Sequence, residues 1–264
     1  MVNCARYARS AALVALAAAT ISCRPINAPA GIGRDMAASI PADTLILAGL
    51  NLDELRASPL YPKLPPAVRT LAEPLRDAGY LLLAFNGKDL LSIARGPFRE
   101  APPDATLLAP GLSAAGSPGS VRAAVAQHKT GRPGAPGLFA RAATVADGVQ
   151  MWMVARGGVP LPVAGNAANL NRLLRDTEYA TIAVRIGSRI EIEASAAGRT
   201  AEAAREFEES VRAILSLAAV ANARQPDLVA LIRSIQIRRD DRTVRAVLSG
   251  GADAVARLLG LVLR

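Results

Sequence analysis

The stretch that decides the fold is ATIAVRIGSRIEIEA, residues 180–194, in which apolar and polar side chains alternate on both sides of Gly187-Ser188. Such alternation is typical of β-strands with one buried and one solvated face, because successive strand side chains point to opposite sides. Gly187-Ser188 is typical of a two-residue type II′ turn. The stretch therefore predicts a hairpin whose polar face, with Glu191 and Glu193, points to water.

A helix is predicted directly after this hairpin. Thr200 can cap its first turn, and Glu202 suits the positive end of the helix dipole. Its apolar side chains recur at helical spacing and are expected to cover the sheet: Ala204, Phe207, Val211, Ile214 and Ala218. A second hairpin around Asp240-Asp241 and a closing helix over 252–263 complete a hairpin-helix-hairpin-helix order.

The first half of the chain has a looser version of this order. Residues 80–85 predict a strand, and Asn86-Gly87 predicts a type I′ turn from which the chain returns antiparallel. The sequence therefore predicts an α+β fold, with antiparallel sheet and helices packed on one face. We expect two related halves, 41–164 and 178–264, with a junction near residues 165–177.

The first 22 residues predict a signal peptide. Arg6 and Arg9 precede an apolar run over 10–21, which is the layout of a secretory signal. The run is too short for a membrane-spanning helix, which needs about 20 apolar residues. We therefore expect the protein to be exported.

The sequence Thr20-Ile21-Ser22-Cys23 resembles the lipobox of bacterial lipoproteins. This resemblance implies a diacylglyceryl group on the Cys23 sulfur, cleavage before Cys23, and, with Arg24 next to it, an outer-membrane location facing the periplasm. Residues 23–40 then form a flexible tether. The alternative is soluble export with cleavage after Ala19 or Ala30, which would leave Cys23 as an unpaired thiol.

Four short stretches together resemble uncharacterised bacterial secreted lipoproteins that contain a domain of unknown function. They are Pro41-Ala42-Asp43-Thr44, Ser58-Pro59-Leu60-Tyr61, Gly116-Ser117-Pro118 and the stretch from Ile190 to Glu206. The resemblance implies a cell-envelope protein and brings no catalytic residue with it.

The chain offers little chemistry that indicates an enzyme. His128 is the only histidine, and its place beside Lys129 predicts a surface role at a helix end. Glu191 and Glu193 share a predicted solvated face, and Asp240-Asp241 suits an ordinary turn. We expect no catalytic residue, metal site or cofactor. Arginines are interspersed with acids, as around Arg205, so nucleic acid is not an expected partner despite the net charge of +9.

Trp152 is the candidate for ligand binding, because the methionines that flank it can adapt to apolar ligands. A core position is the other interpretation of this ring. The leading hypothesis is a non-catalytic envelope lipoprotein that binds a protein partner or scaffolds an assembly. The alternatives are a carrier of an apolar envelope ligand near Trp152, and a hydrolase that works without histidine.

Overall fold

The computed structural model describes residues 32–66, 69, 73–159 and 174–262. The strands are β1 (Ile46–Asn51), β2 (Tyr80–Phe85), β3 (Leu90–Arg95), β4 (Ala105–Ala109), β5 (Leu112–Gly116), β6 (Met151–Arg156), β7 (Thr177–Ile186), β8 (Ile190–Gly198), β9 (Gln236–Asp240) and β10 (Thr243–Gly250). They form one sheet in the order β4-β5-β3-β2-β1-β6-β7-β8-β10-β9, and all neighbours are antiparallel.

Seven α-helices accompany the sheet in the described residues. They are α1 (Arg34–Ala37), α2 (Leu52–Ala57), α3 (Pro118–Lys129), α4 (Pro136–Ala142), α5 (Ala201–Ala221), α6 (Pro226–Arg233) and α7 (Ala252–Val262). Short 3-10 turns lie at Tyr61–Lys63, Glu73–Leu75 and Leu174–Asp176. The predicted α+β class with antiparallel sheet is confirmed.

The hairpin at Asn86-Gly87 forms with a longer loop than predicted. Phe85 pairs with Leu90, so the loop holds four residues, and only Gly87 has a positive φ, of 95°. The Asn86 side-chain oxygen accepts the backbone N–H groups of the two residues that end the loop, at 3.0 and 2.8 Å. This side-chain turn closes the loop in place of a type I′ turn.

The hairpins of the second half also form. Ile186 pairs with Ile190, so the first loop holds three residues and not two. In the other, Thr243 pairs with Asp240, and Asp241 takes a positive φ of 47°, which short polar residues tolerate.

The predicted solvated face of the first hairpin of the second half is confirmed. Arg185 pairs with Glu191 at 3.4 Å and Arg245 with Glu193 at 3.1 Å, with all four side chains well exposed. These carboxylates are therefore parts of ordinary surface ion pairs.

Helices pack on both faces of the sheet and not on one. Tyr80, Leu82 and Ala84 of β2 belong to one core cluster, which also takes in residues of α1, α3 and α4. Leu81, which points the other way, belongs to a second cluster with residues of α2 and α7. The central strands are apolar in both directions, so both faces need a cover.

The strand order repeats. Read outward from the centre, one side is β1-β2-β3-β5-β4 and the other is β6-β7-β8-β10-β9. The two sides meet where β1 pairs with β6. In this order the two sides of the sheet change over between β5 and β6. The two related halves stay a prediction, and residues 165–173 of the expected junction lie outside the described residues. The helices do not follow the repeat, because α5 and α6 separate β8 from β9 while a loop alone joins β3 to β4.

The predicted tether is wrong over its second part. Ile32, Met36 and Ile40 are buried in the first core cluster, and Met36 and Ile40 have no exposed surface. Helix α1 lies within this segment, and Asp35 forms an ion pair with Arg95 of β3. The three apolar side chains recur every fourth residue, which is a spacing that places them on one side of a helical segment. Cys23 and the predicted signal peptide lie outside the described residues.

Candidate functional site

Helix α5 is firmly bounded at both ends. Thr200 caps it as predicted, since its hydroxyl oxygen accepts the N–H of Ala203 at 3.1 Å. Glu202 lies in the first turn, and the Asn222 amide donates to the carbonyl of Ala218 at 2.8 Å at the other end. These caps satisfy groups that a helix terminus leaves open, and the result is an ordered helix of 21 residues.

One side of α5 packs on the protein. Ala204 and Ala219 are buried, and Ala219 forms a small cluster with Leu228 and Ile232 of α6. The helix also contacts β8, β9 and β10. Four of the five predicted core positions of this helix are at least partly buried, but Ile214 is 39% exposed.

The other side of α5 exposes large apolar side chains. Leu217 is 69% exposed and Val220 is 74% exposed, and with Ile214 they account for three of the four large exposed hydrophobic residues among those described. Exposed alanines flank them. We call Ala213, Ile214, Leu217, Val220 and Ala221 the apolar stripe. Residues three and four apart are neighbours on a helix, so the stripe is contiguous, and contiguous exposed apolar surface marks interaction sites.

Charged residues at one flank hold α5 against the edge of the sheet. Glu208 accepts hydrogen bonds from Arg212 at 2.8 Å and from Arg239 of β9 at 3.0 Å. The hydrogen bond from Arg212 is the main reason why the pKa of Glu208 lies below its ordinary value. Arg212 also donates to the carbonyl of Ile237, in the edge strand β9, at 3.1 Å. The stripe is therefore presented by a fixed helix.

Trp152, the candidate ligand-binding residue, is a core residue. Its ring is 3% exposed, its Nε1 donates to the Tyr80 hydroxyl at 2.9 Å, and it lies directly against Gly49 on the neighbouring strand. Burial is the main cause of a raised pKa of Tyr80. Trp152 lines neither of the two cavities found in the described part of the chain.

One of these cavities, of about 230 Å³, lies beside the first hairpin. Asp43, Asp89, Asn86 and Ser120 contribute its polar groups. Asn86 already donates to Asp43 at 3.1 Å, and Ser120 donates to the carbonyl of Ser117 at 2.9 Å. These polar groups serve the loop and the helix cap, and they do not form a set of converging reactive groups.

His128 lies in the last turn of α3, as predicted, but it is half-buried and bonds to the N-terminal segment. Its Nδ1 lies 3.0 Å from the hydroxyl oxygen of Ser39. The Ser39 hydroxyl also donates to the carbonyl of Asp35 at 2.9 Å. Ser39 is fully buried. The pair therefore fastens α1 to α3 and cannot present a nucleophile to a substrate.

Among the described residues, no group of three or more His, Cys, Asp or Glu side chains is arranged to hold a metal ion. None of the helices in this part of the chain is long and apolar enough to cross a bilayer.

No family model matches the chain, and neither does any curated protein. The fold is similar to crystal structures of TP0453. Form I has 10% sequence identity and a TM-score of 0.52, over 86% of this chain and 97% of that one. Form III has 9% identity and the same TM-score, over 85% and 97%. At this identity the likeness shows a shared fold alone.

Proposed function

We propose that the protein is a lipid-anchored, non-catalytic binding module of the bacterial cell envelope, and that it binds a protein partner through the apolar stripe of α5. The observation that carries the proposal is the exposure of Leu217 and Val220 on a helix that is capped at both ends. Exposure of these apolar side chains to water is unfavourable, and a partner surface that buries them would remove this cost.

The anchor is proposed from the lipobox-like sequence at Cys23. Only residues 24–31 separate it from Ile32, which is buried in the core. A fully extended chain spans at most about 3.6 Å per residue, so this link reaches about 30 Å. The body would stay within that distance of its membrane, and the partner would be an envelope component close to the same surface.

Neither alternative function gains a specific observation. A carrier with its cavity at Trp152 would need space where the ring instead packs on Gly49. For a hydrolase, the carboxylates of Glu191 and Glu193 are held in separate ion pairs at the surface. Binding through α5 is the function that the geometry favours.

Photo-crosslinking in the membrane fraction tests the proposal. We would place a photoreactive phenylalanine analogue at Leu217, and at Arg238 as a control. Arg238 is exposed on β9, on the same face of the sheet as Glu193 of β8. We expect a discrete protein adduct from position 217 that Val220→Glu weakens, and no adduct from position 238. Equal labelling from both positions, or none from 217, would contradict the proposal.

A further inference from the structure

A regular seam runs along the exposed side of α5 and into the turn after it. It consists of Glu206, Ser210, Ala213, Leu217, Val220 and Arg224, which are spaced alternately four and three residues apart. All are exposed except Ser210, which is half-buried. Contact residues that recur on average every 3.5 residues are typical of a helix that packs along a second helix. The protein's own sheet contacts the opposite side of α5.

The seam is complementary to itself when two copies run antiparallel. If the twofold axis passes at the level of Leu215, Ala213 faces Leu217 of the second copy and Ser210 faces its Val220. Each large side chain thus meets a small one, which lets two helices approach closely and interdigitate. Symmetry makes every such contact twice, as in an isologous dimer.

The charges at the two ends of the seam agree with the same register. Arg224 lies in the turn after α5, so in this register Glu206 comes level with that turn of the second copy. This pair of opposite charges occurs at both ends. Neither residue forms an ion pair within the described residues, whereas their neighbours Arg205 and Glu209 pair with each other at 3.2 Å. A parallel arrangement would instead oppose Glu206 to Glu206 and Arg224 to Arg224, which repel.

We infer that the occupant of the apolar stripe is a second copy of this chain, held by an antiparallel pairing of the two α5 helices. The inference rests on the proposed function, because it names the partner of the same surface. A bilayer fits less well, since Glu206 lies within the seam and Glu202 and Glu209 are exposed on the same helix. Carboxylates at these places would be repelled by anionic lipid head groups.

Cysteine crosslinking of the full chain in intact cells tests the register. In the antiparallel pair, residue 210 faces residue 220 of the second copy, while the two copies of residue 210 lie about 15 Å apart, from a rise of 1.5 Å per residue. Ser210→Cys with Val220→Cys in one chain should give a disulfide-linked dimer under mild oxidant. Each single variant should give less than one tenth of that yield. The same 15 Å prevents a disulfide within one helix.

Charge exchange provides a control for folding. Glu206→Arg in the double-cysteine chain places like charges at both ends, and we expect at least a fivefold loss of dimer. Adding Arg224→Glu restores opposite charges and should restore the yield. The chain without added cysteines shows whether Cys23 itself crosslinks, which would indicate that its thiol is not acylated.

Failure of this inference can be told apart from failure of the proposed function. Efficient dimers from either single variant, no dimer from the double variant, or no rescue by charge exchange would overturn the pairing. If in that case the photoreactive group at position 217 still captures a protein of another mass, binding through the stripe stands with a different partner. If it captures only lipid, both are overturned, and α5 faces the membrane.

Discussion

Replacing Met36 by Ala should destabilise the protein strongly if the segment before β1 belongs to the core. Met36 has no exposed surface and lies in the first core cluster. Shortening a buried Met to Ala removes apolar contacts and leaves a cavity, which costs 2–5 kcal/mol in other proteins. Because Met36 is fully enclosed, we expect about 3 kcal/mol.

Urea unfolding of the Cys23→Ser protein is a direct assay, because that version has no acylation site. Trp152 is the only tryptophan and is buried, so its fluorescence reports on the core. With a urea dependence of about 3 kcal/mol per molar for a chain of this size, the midpoint should fall by about 1 M.

Arg34 provides the matched control, because it lies in the same short helix and is exposed. Arg34→Ala should change the free energy of unfolding by no more than about 0.5 kcal/mol. If Met36→Ala were equally mild, the segment would not be packed in the core, and the anchor would have a longer flexible link than we infer.

Two further predictions concern the pair of Trp152 and Tyr80. Gly49→Ala would place a methyl group against the Trp152 ring, and we expect a loss of about 2 kcal/mol with a red-shifted emission; Gly260→Ala, in open space, should not destabilise. Because burial raises the pKa of Tyr80, its ionisation is disfavoured in the folded state. Stability from this group is complete below about pH 10 and is lost as pH rises through the folded pKa. Urea midpoints should therefore fall less steeply between pH 9 and pH 11 in Tyr80→Phe than in the parent, and equal slopes would contradict this.

Local patterns predicted the hairpins and the cap of α5 correctly. Alternation over residues 180–194 depends on neighbours two apart, and Thr200 caps its own helix, so both signals lie within a few residues. The turn types were less predictable. Side-chain hydrogen bonds such as those of Asn86 lengthened a loop that the Asn-Gly pair alone predicted to be short.

Contacts between distant parts of the chain could not be predicted from local patterns. Ser39 and His128 are 89 residues apart, and no local pattern links them. Pro25, Pro29 and Gly31 favoured a tether, which obscured the regular spacing of Ile32, Met36 and Ile40.

Helix α5 misled the prediction in a different way. It is apolar on two sides, and sequence alone does not show which side the sheet covers. Ile214 was assigned to the core side, but the structure exposes it beside Leu217. A helix that is apolar on two sides can contact its own sheet with one side and a partner with the other. In this chain that pattern was the sequence signal for the candidate surface.

The central claim, a binding module fixed to a membrane, is tested most directly by the intact mass of the protein in the membrane fraction, beside Cys23→Ser. We expect a mature chain that begins at Cys23 and carries added acyl mass, which the variant loses. An unmodified chain that begins at another residue would contradict the anchor and leave a soluble exported protein.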